Sequence, residues 1–307
     1  MLLPGRIRPP ARNVAGLRMR PGERSIKTRR RGVGYPRAMS TAIDRFRQLH
    51  ESGCFVLPNP WDIGSARLLV HLGFPALATT SSGFAWSTGR RDNHVPLDEA
   101  LAHFRAIAAA VGVPVNADFE GGFAIEPDGV ATNVTAAVAT GVAGLSIEDS
   151  TGDKDNPLFD FDLAVRRIEA ARAAIDRSST GVLLTARSEG FIAGRPDLGE
   201  TIRRLNAFAN AGADCLYAPG LRTMTDVKAV VDAVAPKPFN LLATTFTDGT
   251  SVTEIAAAGV RRISVGGALA RTAWSGFLAA AKEIADHGTF TALGRAVTGA
   301  EMNGYFQ

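Results

Sequence analysis

Cysteine is scarce in this chain, with only Cys54 and Cys215 among 307 residues. Both sit inside apolar runs, "CFVLP" and "DCLYA", where they read as buried core thiols; a disulfide or a catalytic cysteine is the competing reading. Long apolar runs are missing as well. None approaches the ~18 residues of a membrane-spanning helix, so no membrane partner is expected. The first predicted strand is followed by "PNPWDIGSA", which lacks the glycine-rich turn of a dinucleotide site. No histidine falls at the end of any predicted strand, which disfavours a site built on imidazole ligands. The N-terminus also lacks the apolar core of a secretory signal.

What is present is a soluble globular composition, 46% hydrophobic and 21% charged. The formal charge of +4 hides an asymmetry. Residues 1–38 carry 11 Lys and Arg against one acid, leaving 23 bases and 29 acids in the remainder. The body is therefore mildly acidic. The leader is rich in Arg, Pro and Gly without a sustained apolar period and is expected to be disordered as an isolated segment. It reads as an upstream mis-called start with Met39 as the true first residue, as a targeting extension, or as a nucleic-acid-binding arm; its "RRR" is weak support for the last, and no nucleic-acid partner is expected.

Residues 39–307 read as one domain. Helix-period segments alternate with short runs that are apolar throughout, at 54–58, 76–80, 113–118, 143–148, 182–187, 214–218, 238–242 and 261–266. The intervening helices include 96–111, about 162–176 and about 198–211. Strands without polar alternation are buried on both faces, which means a parallel sheet covered by helices. Eight such units predict an α/β protein, a (β/α)8 TIM barrel of the usual ~250 residues, with a C-terminal helical extension. An open doubly wound sheet is the alternative.

In such a barrel, chemistry collects where strands end. "VPVNADFEGGF" ends a strand in Asp118 and Glu120. The neighbouring ends offer Glu148 and Asp149, Arg187 and Glu189, Asn240, and "TTSSGF" with Asp92 in its loop. Each acid could cap a helix or pair with an arginine. Together, such acids repel one another unless a cation neutralises them. An all-oxygen donor set suggests Mg2+ or Mn2+. Arg187 at the end of a buried strand needs an anionic partner, either a neighbouring carboxylate or a substrate carboxylate held bidentately. "SSGF" offers hydroxyl and backbone donors for an oxyanion. The combination suits a small 2-oxo acid whose enolate a metal stabilises.

The motifs "PNPWDIGSA", "TTSSGFAWSTGRRD", "NADFEGGF", "SIEDS", "TARSE", "GADCLYAPGL" and "ISVGGALAR" resemble the isocitrate lyase/phosphoenolpyruvate mutase superfamily over about residues 41–290. That resemblance implies Asp118 as the direct metal ligand, with Glu120, Glu148 and Asp92 holding metal-bound waters. It implies Ser82, Gly83 and Phe84 at the oxygens of a 2-oxo or hydroxy carboxylate, Arg187 on its carboxylate, and Asn240 lining the pocket. It further implies a cytoplasmic homodimer or homotetramer with exchanged C-terminal helices.

One departure bears on the reaction. Isocitrate and methylisocitrate lyases carry a Lys/Arg-Cys-Gly-His loop after strand 4, whereas this chain has "DSTGDKDNPLFD". Those two activities are therefore not expected. Lys154, Asp155 and Asn156 lie on this glycine-containing lid, where Lys154 is a candidate catalytic group alongside Arg187 and Glu148, or simply a solvated side chain. The implied activity is carbon–carbon cleavage of a substituted malate or oxaloacetate with release of pyruvate. Phosphorus–carbon chemistry on a phosphonopyruvate-type substrate, or a barrel that binds an oxo acid without turnover, are the alternatives.

Overall fold

The computed structural model describes residues 41–306. The basic leader, residues 1–38, lies outside the described residues. Eight short parallel strands form the sheet: β1 Phe55–Leu57, β2 Leu77–Ala78, β3 Val115–Asp118, β4 Gly144–Glu148, β5 Leu183–Arg187, β6 Cys215–Tyr217, β7 Phe239–Leu242 and β8 Arg262–Ser264. They follow the order β1-β8-β7-β6-β5-β4-β3-β2 with every ladder parallel. This is a (β/α)8 barrel, with helices between successive strands.

The strands are shorter than the apolar runs that announce them, because the runs end in side chains that start the next element. Thr80 is the plainest case. Its hydroxyl caps the short helix Ser81–Ser87, so β2 stops at Ala78. Similar caps start the outer helices: Asp62 before Ile63–His71, Asp160 before Phe161–Ser178 and Asp197 before Leu198–Asn210.

The ring joins at β1 and β2 without a strand ladder. One backbone bond crosses there, Ala78 N–H to Pro58 O at 3.1 Å. The Asn59 side chain completes the junction: its Nδ2 donates to Thr79 O (2.9 Å), while its Oδ1 accepts the N–H groups of Val265 and Gly266 (2.9 and 2.8 Å). A single amide thus ties β1, β2 and β8 together.

The main core lies between sheet and outer helices, from Leu77 and Phe104 round to Phe239 and Ile263. A second cluster, Phe46, Phe55, Leu57, Ala76, Ala78, Ala143 and Leu183, fills the lower end of the barrel. Helix Ala42–Glu51, opened by a Thr41–Asp44 capping box, supplies Phe46 and closes that end. Above it the wall turns polar, with Asn116, Ser146, Thr185, Asn240, Arg262 and Ser264 all buried. Barrel interiors are ordinarily filled by branched apolar side chains. This one is built to hold something polar.

Candidate active site

The turn after β3 shows how the fold aims carboxylates. Glu120 and Gly122 both take left-handed backbone conformations (φ +46° and +73°), which bend the chain sharply over the strand end. The buried Arg167 staples that turn by donating to the carbonyls of Gly121, Ala124 and Ile125, and it lies against the Phe159 ring of the lid. Asn133 Nδ2 adds a bond to Gly122 O at 3.0 Å. Two acids can then stand beside each other at one strand end because the backbone beneath them is held.

Asp118 is fixed from two sides. Its N–H donates to Thr79 Oγ1 at 2.9 Å, and its Oδ2 accepts from the N–H and hydroxyl of Ser81 at 2.9 and 3.0 Å. Its Oδ1 lies 3.6 Å from Arg187 Nη1, the same nitrogen that meets Glu148 Oε2 at 3.0 Å. Arg187 Nε donates to Glu189, and the guanidinium carbon stands 5.1 Å from the centre of the Tyr217 ring. Three carboxylates therefore converge on one arginine.

The electrostatics follow from burial and crowding. Burial, then Asp118 and Asp92, push the Glu120 carboxyl up to about 8. Burial raises Glu148 well above the usual carboxylate range despite Arg187. Glu189 is carried to about 7 by burial, again against Arg187. Asp92 is raised by burial and by Asp118, although its loop is exposed overall. Burial draws Arg187 down, but Glu189 and Glu148 outweigh it and hold the guanidinium firmly charged.

A cavity of about 150 Å³ opens at this end of the barrel and gathers Asp92, Asp118, Ser82, Arg187 and Asn240 in one wall. Glu120 and Glu148 face an adjoining space of about 500 Å³ beneath the lid, with His94, Ser150 and Thr151. Lys154 is exposed on that lid and lines neither space. Gly83 and Phe84 depart from expectation. "SSGF" is the first turn of a helix, so their N–H groups are engaged by Thr80, at Oγ1 (3.4 Å) and O (3.0 Å). Gly83 packs where a Cβ would come within 2.6 Å of Thr80, and the Phe84 ring stacks on His103 at 3.8 Å, away from the cavity. Asp149 is likewise turned aside, buried against Arg204 (3.2 Å) and the Glu189 N–H (2.7 Å).

Several residues of the cavity wall had no role in the sequence reading, among them Asn59, Tyr217 and Arg262. Of these, Arg262 leaves the clearest signal, since with Arg261 it opens the mostly apolar run "RRISVGG". Among the described residues no three His, Cys, Asp or Glu side chains cage an ion by themselves. The donor set nevertheless fits a hard divalent cation, since such an ion keeps several waters and needs only one or two direct carboxylates. Asp92, Glu120 and Glu148, all raised by burial and by neighbouring acids, are the groups a cation would relieve.

The model of the phosphoenolpyruvate phosphomutase family matches residues 46–285. The chain belongs to that family. A relative from Mycobacterium tuberculosis H37Rv is 34% identical over 223 residues, 72% of this chain and 81% of that one. A Burkholderia cenocepacia J2315 structure described as a lyase/mutase shares 46% identity and a TM-score of 0.83, covering 86% of this chain and 96% of that one. 2,3-Dimethylmalate lyase, a member of the phosphoenolpyruvate mutase/isocitrate lyase superfamily, shares 28% identity and a TM-score of 0.77, with 88% and 96% covered. Phosphonopyruvate hydrolase, solved with oxalate and Mg2+, shares 26% and 0.75, with 87% and 95% covered. Membership of that family accounts for the barrel. No described helix is long and apolar enough to cross a membrane.

Proposed function

We propose that this protein is a Mg2+- or Mn2+-dependent lyase that breaks a carbon–carbon bond of a substituted malate or of oxaloacetate and releases pyruvate. The observation that carries the reading is the meeting of Asp118, Asp92, Arg187 and Asn240 in one small polar cavity, with Glu120 and Glu148 at its edge. The likeness to 2,3-dimethylmalate lyase supports the choice of bond. Asp118 would be the direct ligand, with Asp92, Glu120 and Glu148 holding the cation's waters; the ion, when bound, supplies Lewis-acid polarisation of a substrate carbonyl.

The chain's own groups do the rest. Cleaving a substituted malate requires a base to take the hydroxyl proton and an acid to give one to the carbon left behind. We assign the first task to Glu148, which lines the adjoining space 3.0 Å from Arg187 Nη1. Lys154 stands on the lid that would close over the second, where closure also excludes water. Arg187 holds Glu148 and Asp118 in place and turns part of its guanidinium toward the substrate. Ser82 and Asn240 offer hydrogen bonds from the wall.

Phosphorus–carbon chemistry is the second reading, supported by the likeness to phosphonopyruvate hydrolase. One assay separates them: release of pyruvate from a panel of substituted malates, oxaloacetate and phosphonopyruvate, with and without EDTA. EDTA-sensitive pyruvate release from a malate or oxaloacetate is the expected result. Release only from phosphonopyruvate would move the assignment to phosphonate chemistry, and binding of oxalate without any turnover would leave a binding barrel.

A further inference from the structure

Outside the ring of strands, a cavity of about 360 Å³ opens between the turn after β5, the start of the helix Leu198–Asn210 and Leu158 near the end of the lid. Side chains alternate along a strand: Arg187 lines the central cavity, and the next residue, Ser188, lines this outer one. Ser188 is 1% exposed, and its hydroxyl is buried without a hydrogen-bond partner among the described residues. An unmatched buried hydroxyl is costly, which calls for a partner from outside the chain. Gly190 keeps the space beside it open. Its backbone is not left-handed, so its conformation does not demand glycine, yet a Cβ there would stand 3.1 Å from Arg195 O and 3.6 Å from Thr201 Oγ1.

The remaining wall is rich in unused donors. Among the described residues, neither the buried Thr201 hydroxyl nor the exposed Arg195 guanidinium has a partner. The two carboxylates of the wall are already engaged. Asp197 Oδ1 accepts the Glu200 N–H at 2.9 Å, and the Glu200 oxygens take Arg203 and Arg204. Hydroxyls and guanidinium groups around one small space suit an oxyanion.

Arg204 gives such an anion a consequence. Its Nη1 donates both to Asp149 Oδ2 (3.2 Å), where the lid leaves β4, and to Phe159 O (3.0 Å), where the lid returns toward the helix Phe161–Ser178. The Phe159 N–H in turn donates to Asp149 O at 2.9 Å. One guanidinium therefore grips both roots of the lid, and its Nη2 has no acceptor among the described residues. We infer that this outer cavity is a second binding site, for a small oxyanion of phosphate or carboxylate type, whose occupant steadies the lid through Arg204. The inference does not depend on which substrate the central cavity takes.

Calorimetric titration of the full chain tests it, with Mg2+ and oxalate present to fill the central cavity and inorganic phosphate or acetate as the probe. A failure of oxalate to bind would count against the oxo-acid reading alone. At least one probe should bind, the tighter one naming the source. Ser188→Ala and Arg195→Met should each weaken it about tenfold. Binding of neither probe, or equal affinity in the wild type and both variants, overturns the inference. In hydrogen exchange, the bound probe should slow the amides of residues 150–158 about fivefold or more; exchange indifferent to the probe overturns the link to the lid. Arg204→Lys keeps the charge but loses the double grip, so it should bind the probe without that slowing, and slowing that survives it overturns the role of Arg204. Should Arg204→Lys not fold, Ser188→Ala decides: its lid should need about ten times more probe for the same slowing, and an unshifted midpoint overturns the inference.

Discussion

Asp118 commits one carboxylate oxygen to Ser81 and leaves the other beside Arg187 at the cavity. Asp118→Asn preserves the shape and an acceptor for Ser81 but removes the charge. We expect it to abolish the rise in melting temperature that Mg2+ gives the wild type, together with metal-dependent turnover; an undiminished rise would refute the ligand role. Glu120 makes a second test through pH. Its carboxyl, pushed up to about 8 from an ordinary 4.5, binds a proton more tightly folded than unfolded. Between those values the native state holds a proton that the unfolded chain has released, so its contribution to stability is full below about 4.5 and is lost as pH rises through about 8. Metal-free protein should therefore melt progressively lower as pH rises over that window. Glu120→Gln should flatten this part of the profile, and a profile identical to wild type would contradict the assignment.

The lid after β4 is the element whose chemistry is least determined by its neighbours. It is pinned by a bridge between Ser150 and Leu158 and by a Thr151 hydroxyl bond to Asn156 O at 2.5 Å, while Lys154 stays exposed between them. Lys154→Ala should leave the melting temperature unchanged and lower kcat by about a hundredfold, the usual worth of a positioned acid; an unchanged kcat would make Lys154 a solvated side chain. The strands were legible because buried parallel strands must be apolar on both faces, and a carboxylate such as Asp118 interrupts that rule visibly. The helix Ser81–Ser87 was not. "SSGF" has the composition of a donor nest, and only the Thr80 cap, which depends on where β2 ends, turns Gly83 and Phe84 into helix. Arg187 is a similar case: its position was readable, and Glu189 lies two residues on, whereas Asp118 and Glu148 come from the ends of β3 and β4, which the parallel register sets beside β5.

At the scale of the molecule, the C-terminal helix Ala268–His287 stands out, because only Ala270 along it is buried. Trp274, Phe277 and Leu278 remain 36%, 59% and 49% exposed, followed by Phe290 at 64%. An apolar face of this extent is what an interface between copies provides. We therefore expect a homodimer or larger assembly in light scattering, with Phe277→Glu combined with Leu278→Glu giving a monomer; an assembly of unchanged mass would place the interface elsewhere. The exchange of helices between subunits is a proposal of the same kind, tested by cross-links from this helix to a second copy's barrel.

Asn59 gives the ring its last consequence. The amide that fastens β1, β2 and β8 is also a wall of the cavity. Architecture and recognition share one side chain there, so a substitution at Asn59 will loosen the staves and alter the berth in the same stroke, and neither effect can be dissected from the other by mutating that position alone.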